Sequence, residues 1–295
     1  MNTSRSVVEI VTTHIVTEGG GFKVRRPFRM GKVMSPFLLI DEMGPVNYGP
    51  GEAVGAPWHP HRGFETVTYL LDGRMRHEDS AGNQGELNPG DVQWMTAGRG
   101  IIHCEEPHEE ILRDGGRTHG FQIWVNLPAS HKMMRPRYQE VPSSESPTVE
   151  KNGVWARVIA GECMGEESAI DTKIPISLIH VKMNSGSRLS QELESGLNGM
   201  IYVFGGEIEI ENETKVKLSP VAFGVRTKQQ IKDGELGILS EGDVISIKSK
   251  SDSEFLILAG PELNEPISRY GPFVMNTREE IEQAFIDYRN GNFVG

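Results

Sequence analysis

Short runs that alternate apolar and polar residues, each followed by a turn, dominate the first half of the chain. Residues 66–71 are β-branched, aromatic or aliphatic, and the Asp-Gly pair directly after them is typical of a hairpin turn. A second turn at 88–91 precedes the strand-like run 92–95, and residues 121–125 alternate bulky and polar side chains. The pattern therefore predicts strands and tight turns, rather than helices, over residues 1–135.

The same order of elements returns in the second half of the chain, which predicts a duplicated domain. The corresponding segments are 69–73 and 202–206, 89–92 and 241–244, and 121–125 and 255–259. Because 17 residues separate the turn glycines Gly73 and Gly90, whereas 36 separate Gly206 and Gly242, a strict repeat is excluded. Two β-barrels, the second with a longer insertion, fit this spacing.

Two further segments differ from the strand pattern. Prolines and a Ser-Ser-Glu-Ser run interrupt it at 136–150, which predicts a linker. Near the end of the chain, Thr277 and Glu280 form a capping-box pattern, and apolar residues at helical spacing follow them. We therefore predict an all-β protein with a short C-terminal helix. Its predicted segments are domain 1–135, linker 136–150, domain 151–275 and helix 276–295.

Composition and charge narrow the class of protein. Of 295 residues, 37% are hydrophobic and 24% are charged, which is typical of a globular chain and excludes general disorder. The net charge of −11 repels phosphate groups and predicts that nucleic acid is not a direct partner. Neither a signal-type leader nor a membrane-length apolar run is present, so no membrane association is expected. Two cysteines, Cys104 and Cys163, make no disulfide framework and favour a reducing, intracellular, cytoplasmic setting.

The candidate chemistry lies in two short histidine motifs. His59 and His61 are two residues apart, so on a strand both side chains point to one face, and His103 and Glu105 repeat this spacing. Three imidazoles and one carboxylate suit a divalent metal, with Fe first and Mn, Ni, Zn, Cu and Co as alternatives. Spacing alone favours buried structural histidines, because nine histidines form such pairs by chance. The run His77-Glu78-Asp79 follows a turn and is predicted to be a solvated loop.

Three longer segments resemble the pirin family, a branch of the cupin superfamily. They are 59–67, 88–103 and 271–277. The resemblance implies two tandem cupin (jelly-roll-like) β-barrel domains, with one metal in the N-terminal domain. The metal it implies is iron (Fe2+ or Fe3+), and the ligands are His59, His61, His103 and Glu105.

The carboxylate ligand has a competitor, since cupins in general use the Glu four residues after the second His, which here is Glu65. The pirin-like motif instead implies Glu105, which we predict, with Glu65 as the alternative. In the second barrel, counting without gaps places the four ligand positions on non-histidine residues and predicts a barrel without metal. Those residues are Glu192, Glu194, Phe255 and Ile257.

The resemblance implies two classes of function. One is a flavonol (quercetin) 2,3-dioxygenase that uses O2 on an aromatic small molecule, with Glu105 as the catalytic base. The alternative is a non-enzymatic, iron-dependent regulatory protein that binds a transcription factor or a metabolic enzyme, with a nuclear location in a eukaryotic host. We expect a monomer.

Overall fold

The computed structural model describes residues 3–29, 31–211 and 229–294. Strands and turns make up most of this part of the chain, which confirms the all-β fold class. The described helices are α1 (Glu109–Asp114), α2 (Ala129–Lys132) and α3 (Arg278–Arg289), besides a 3-10 turn at Lys32–Met34. None of these helices has the length and apolar composition needed to cross a membrane.

The strands are numbered in chain order. The first eleven are β1 (Val7–Thr17), β2 (Lys23–Pro27), β3 (Phe37–Tyr48), β4 (Ala56–His61), β5 (Phe64–Asp72), β6 (Met75–Asp79), β7 (Gln84–Leu87), β8 (Val92–Thr96), β9 (Ile101–Pro107), β10 (Gly116–Asn126) and β11 (Arg137–Val141). The next seven are β12 (Thr148–Lys151), β13 (Val154–Ala160), β14 (Glu162–Cys163), β15 (Glu166–Glu167), β16 (Ser177–Met183), β17 (Arg188–Glu192) and β18 (Leu197–Gly205). The last seven are β19 (Glu207–Ile210), β20 (Gln230–Lys232), β21 (Glu235–Leu239), β22 (Val244–Ser249), β23 (Ser253–Pro261), β24 (Ser268–Tyr270) and β25 (Phe273–Met275).

The chain forms two compact units. The first unit comprises His14–Arg26, Pro36–Ser146 and Leu263–Gly295, and the second comprises Met1–Thr13, Pro27–Ser35 and Pro147–Glu262. These units differ from the predicted segments, because the N-terminal residues belong to the second unit and the C-terminal tail to the first. The N-terminal strand β1 pairs with β21 of the second unit, and such long-range pairing leaves no local sequence signal.

The predicted linker 136–150 contains regular structure. The division between the two units falls inside it, between Ser146 and Pro147. However, β11 forms a complete antiparallel ladder with β8, and β12 begins at Thr148. The prolines at 136, 142 and 147 lie outside the strands, and Arg137–Val141, between the first two of them, pair with β8 without interruption.

The two units repeat the same strand order, which confirms the duplication. In the first unit, one sheet has the order β11-β8-β5-β10-β3-β2 and the other the order β4-β9-β6-β7. In the second unit, the corresponding orders are β21-β18-β23-β16 within the larger sheet and β17-β22-β19-β20 in the smaller one. Each sheet is antiparallel in its ladders, and residues that alternate along the strands fill the space inside each unit.

Two of the three predicted sequence echoes hold in this topology. Residues 69–73 and 202–206 end the equivalent strands β5 and β18, and the segments at 121 and 255 lie on the equivalent strands β10 and β23. The echo between 89–92 and 241–244 is wrong, because the first precedes β8 and the second precedes β22, which is the counterpart of β9. Residues 212–228 of the predicted longer insertion lie outside the described residues.

The C-terminal helix begins as its sequence predicts. The Thr277 side chain accepts a hydrogen bond from the backbone N–H of Glu280, and the Glu280 carboxylate accepts one from the backbone N–H of Thr277. Ile281 and Ala284 are buried against the rest of the first unit, whereas Tyr288 keeps 40% of its surface exposed. The helix therefore packs through a narrow apolar stripe.

A buried lysine fixes the segment before α3. Lys132 Nζ donates hydrogen bonds to the carbonyl oxygens of Gly63 (2.8 Å) and Val274 (3.0 Å) and to Asn126 Oδ1 (2.6 Å). Gly63 has a φ of +90°, and a Cβ there would lie 2.0 Å from the Val274 oxygen, so only glycine fits. The chain just after His61 is therefore held directly against β25.

Candidate metal centre

The candidate site lies on the small sheet of the first unit, where β9 runs between β4 and β6. His103 and Glu105 alternate with Cys104 and therefore point to the inner face of β9. His59 of β4 lies directly opposite His103, and His77 of β6 lies directly opposite Glu105. Residues at opposite positions of neighbouring strands lie on the same face of the sheet, so these side chains share one interior region.

The structure brings His59, His61 and His103 together. Their ring centroids are 4.3 to 5.0 Å apart, and their candidate ligand atoms all lie within 4.8 Å of one another. His59 Nδ1 is 2.7 Å from the Pro57 carbonyl oxygen, and His61 Nδ1 is 3.3 Å from that of Pro272. These backbone contacts fix the tautomer with Nε2 unprotonated, so Nε2 is available as a metal ligand.

Burial keeps two of these imidazoles neutral. Desolvation, with the neighbouring His59, lowers the pKa of His61 to about 3, and desolvation also lowers the pKa of His103 well below its usual value. Metal ligation requires the neutral ring, so both groups are in the required form at neutral pH.

His103 also provides the test of whether a metal fits. Its side chain is fully buried, and neither of its ring nitrogens has a hydrogen-bond partner. Leaving buried polar atoms unsatisfied costs about 1–3 kcal/mol each, which a bound cation would remove for the ligating nitrogen. The donor set around it, imidazole nitrogens and one carboxylate, suits a transition metal.

The two candidate carboxylates have different surroundings. Glu105 accepts hydrogen bonds from Thr68 Oγ1 at Oε1 and from Gln122 Nε2 at Oε2, both at 2.7 Å. Its ligand atoms lie within 4.8 Å of those of His103 and His77. Glu65 is also buried, but its Oε1 accepts from Thr96 Oγ1 (2.6 Å) and lies 3.7 Å from Arg137. These contacts favour Glu105 over Glu65 as a ligand.

His77 was expected in a solvated loop, and that expectation is wrong. It lies on β6, which pairs with β7 on one side and β9 on the other, and only 2% of its surface is exposed. Its ring stacks on Tyr138 at a centroid distance of 5.0 Å, and its Nε2 is 3.4 Å from Asp79 Oδ2. The spacing of His77 and Asp79, two residues apart like the other motif pairs, is the sequence signal that could have identified this strand.

A cavity of about 540 Å³ within the first unit reaches the histidines. His59, His61 and Glu105 line it, whereas His77 and His103 are not among its lining residues. Most of the wall is apolar or aromatic, and a smaller charged part includes Arg26, Asp41 and Arg269. The apolar side chains include Phe22, Leu39, Met43, Trp58, Met75 and Trp124. Its size and composition are those of a site for a small organic molecule.

The second unit has no histidine at the equivalent places. The buried residues Ile245, Ile247 and Ser249 of β22 are matched to Ile101, His103 and Glu105 of β9. With this match, the strand ladders place Leu189, Gln191 and Ile208 at the positions of His59, His61 and His77. Counting without gaps pointed to Phe255 and Ile257, which is wrong because both lie on β23, the counterpart of β10. It also pointed to Glu192 and Glu194, which are both exposed. His180, on β16, is 2.9 Å from Glu254.

Comparison with known proteins agrees with this architecture. Residues 21–125 match the family model described as Pirin, and residues 178–294 match the Pirin C-terminal cupin domain. Pirin from Homo sapiens is 41% identical over 98% of this chain and 94% of its own length. The crystal structure of a quercetin 2,3-dioxygenase from Acinetobacter baumannii is 35% identical, covers 99% of both chains and superposes with a TM-score of 0.89.

A more distant solved structure shares the fold. It is a bacterial pirin from Escherichia coli in complex with nickel(II), 19% identical, with a TM-score of 0.61 over 86% of this chain and 98% of that one. The two barrels, the motif segments and the 41% identity to human Pirin over nearly the whole chain all agree. The chain therefore belongs to the pirin family of cupin proteins.

Proposed function

We propose that this pirin-family chain is an iron-dependent flavonol 2,3-dioxygenase whose metal ligands are His59, His61, His103 and Glu105. The observation that carries the proposal is the fully buried His103, whose unpartnered nitrogens lie among other donors beside an aromatic-walled cavity. The structural similarity to a quercetin 2,3-dioxygenase supports the same reaction class.

The residues present fit a single transition-metal ion. Neutral imidazoles from β4 and β9 and one carboxylate from β9 suit iron, and also manganese, nickel, zinc, copper or cobalt. When bound, such an ion would supply a Lewis acid for a substrate oxygen and, if redox-active, the electron chemistry that dioxygen requires.

The chain's own side chains would bind and orient the substrate. Trp58 and Trp124 line the cavity and offer faces for a planar aromatic ring system. Trp124 is itself held, since the Arg269 guanidinium lies 4.6 Å from its ring and Phe64 lies 4.3 Å away. Burial of the substrate against these walls would exclude water from the reacting part of the ring.

Glu105 is the residue placed to accept a proton from an acidic substrate hydroxyl. It lines the cavity, and hydrogen bonds from Thr68 and Gln122 fix its orientation. A carboxylate oxygen can accept two hydrogen bonds, so each of its oxygens keeps one acceptor site. It lies in the cavity wall together with His59 and His61, where a base for flavonol deprotonation is needed.

The test is a two-step titration. Iron-loaded protein is first titrated with quercetin without oxygen, which reports binding through the flavonol absorption band, and oxygen is then admitted. Ring cleavage over many turnovers is the expected result. Quercetin binding without turnover would instead support the iron-dependent regulatory protein, and absence of binding would refute the flavonol as substrate.

A further inference from the structure

We infer that His77 gives the centre a second, inner metal position, in which His77, His103 and Glu105 hold the ion. In the outer position proposed above, His59 and His61 take the place of His77 beside His103 and Glu105. The candidate ligand atoms of His59, His61 and His103 lie within 4.8 Å of one another, and so do those of the inner group, His77, His103 and Glu105. This inference rests on the proposed metal centre, which it extends by one ligand and one position.

The strand register produces the inner group. In the β6–β9 ladder, His77 is the direct partner of Glu105, and Asp79 is the direct partner of His103. The ring centroids of His77 and His103 are 5.3 Å apart. All three donors of the inner group are at most 6% exposed, so bulk water competes little with them for a cation.

The hydrogen bonds of His77 leave one nitrogen for a metal. Its Nε2 faces Asp79 Oδ2 at 3.4 Å, while its buried Nδ1 has no hydrogen-bond partner. Asp79 is fixed in turn by the backbone N–H groups of Ala81 and Asn83 and by the Asn83 side chain. A carboxylate that orients a histidine in this way is the usual support of a metal-binding imidazole.

The inner group has the composition of an iron site. Two imidazoles and one carboxylate are the ligand set of many non-haem Fe(II) proteins. His77 and His103 do not line the cavity, whereas His59 and His61 do. Of the inner donors only Glu105 reaches the cavity, so an ion in the inner position would lie farther from a substrate than an ion held by His59 and His61.

The experiment is a double-mutant cycle on metal affinity, with Co(II) alone as the probe. The dissociation constant and the visible absorption of bound Co(II) are measured for the full chain, His59→Ala, His77→Ala and the double variant. His59 is only half-buried, so its replacement should leave the fold intact. His131→Ala, on α2 and outside both groups, is the matched control in both backgrounds.

If the inner position exists, the effect of His77→Ala on the Co(II) dissociation constant should depend strongly on whether His59 is present. His77→Ala should change the dissociation constant little in the otherwise intact chain, but should raise it by more than about 10-fold when His59 is already alanine. His131→Ala should have no such effect. An equal effect of His77→Ala in both backgrounds would overturn the inner position while leaving the proposed centre intact. A wild-type chain that binds no Co(II) would refute the centre itself.

Discussion

Phe293, which follows α3, should contribute several kcal/mol to the stability of the first unit. It is 2% exposed, its ring centroid is 5.3 Å from that of Phe273, and the Arg62 guanidinium lies 4.5 Å from its face. Replacing a buried Phe by Ala costs about 3–5 kcal/mol. Loss of the cation–π contact adds about 0.5–2 kcal/mol. Because a domain is stable by about 5–15 kcal/mol, Phe293→Ala removes a large part of the total.

The measurement is urea unfolding followed by tryptophan fluorescence. Of the four tryptophans, Trp58, Trp94 and Trp124 belong to the first unit, and a Trp155→Phe background makes the signal specific for it. With an m-value of about 2 kcal/mol per molar urea, the midpoint should fall by roughly 2–3.5 M.

The matched control is Tyr288→Ala in the same background. The Tyr288 ring also touches Phe293, at 5.5 Å, but Tyr288 remains 40% exposed. Its replacement should therefore cost less than about 1 kcal/mol. If the two variants unfold at the same urea concentration, the tail is not packed through Phe293, and the reasoning from burial is refuted.

Three further results are expected. Glu105→Gln should lower iron affinity and flavonol turnover together, whereas Glu65→Gln should lose at most about 10-fold in affinity; the reverse, in a metal titration, would make Glu65 the ligand. With excess iron, elemental analysis should find one ion per chain, unchanged in Glu192→Ala, and two ions would contradict a metal-free second unit. Burial lowers the pKa of His180 to about 4, so between pH 6.5 and about 4 the unfolded chain takes up a proton that the folded chain excludes. His180 should therefore contribute roughly 3 kcal/mol to the fall in the free energy of unfolding over that range, and an undiminished fall in His180→Gln, measured by urea unfolding, would exclude this contribution.

The sequence predicts those features that depend on neighbouring residues in the chain, namely which side chains share a strand face and where a helix begins. His59 and His61 are two residues apart, as are His103 and Glu105, and this spacing predicts that each pair lies on one face of its strand. The capping box at Thr277 predicts the start of the last helix. Both depend only on residues within a few positions along the chain.

Pairing between distant strands could not be read in the same way. Whether His77 lies in a loop or opposite Glu105 depends on β6 meeting β9, which the sequence around His77 does not encode. The same holds for the first part of β1, where residues 7–12 pair with β21 of the second unit. Counting without gaps fails in the second barrel because Gly242 precedes β22, the counterpart of β9, whereas Gly90 precedes β8. The count therefore starts one strand too late and reaches Ile257 on β23.

The buried Lys132 makes the first unit's opening measurable by chemical labelling. Acylating reagents react with the uncharged form of an amine, and a Lys132 exposed by opening has the ordinary lysine pKa, so it would react as any exposed lysine does. Such a reagent cannot reach Nζ while Gly63, Asn126 and Val274 enclose it. Exposed lysines such as Lys151 will be acylated at once, whereas Lys132 will react only in molecules whose first unit has transiently opened. The acylated fraction of the peptide that contains Lys132, followed over time by mass spectrometry, would therefore report the opening equilibrium of the first unit alone, under native conditions and without denaturant.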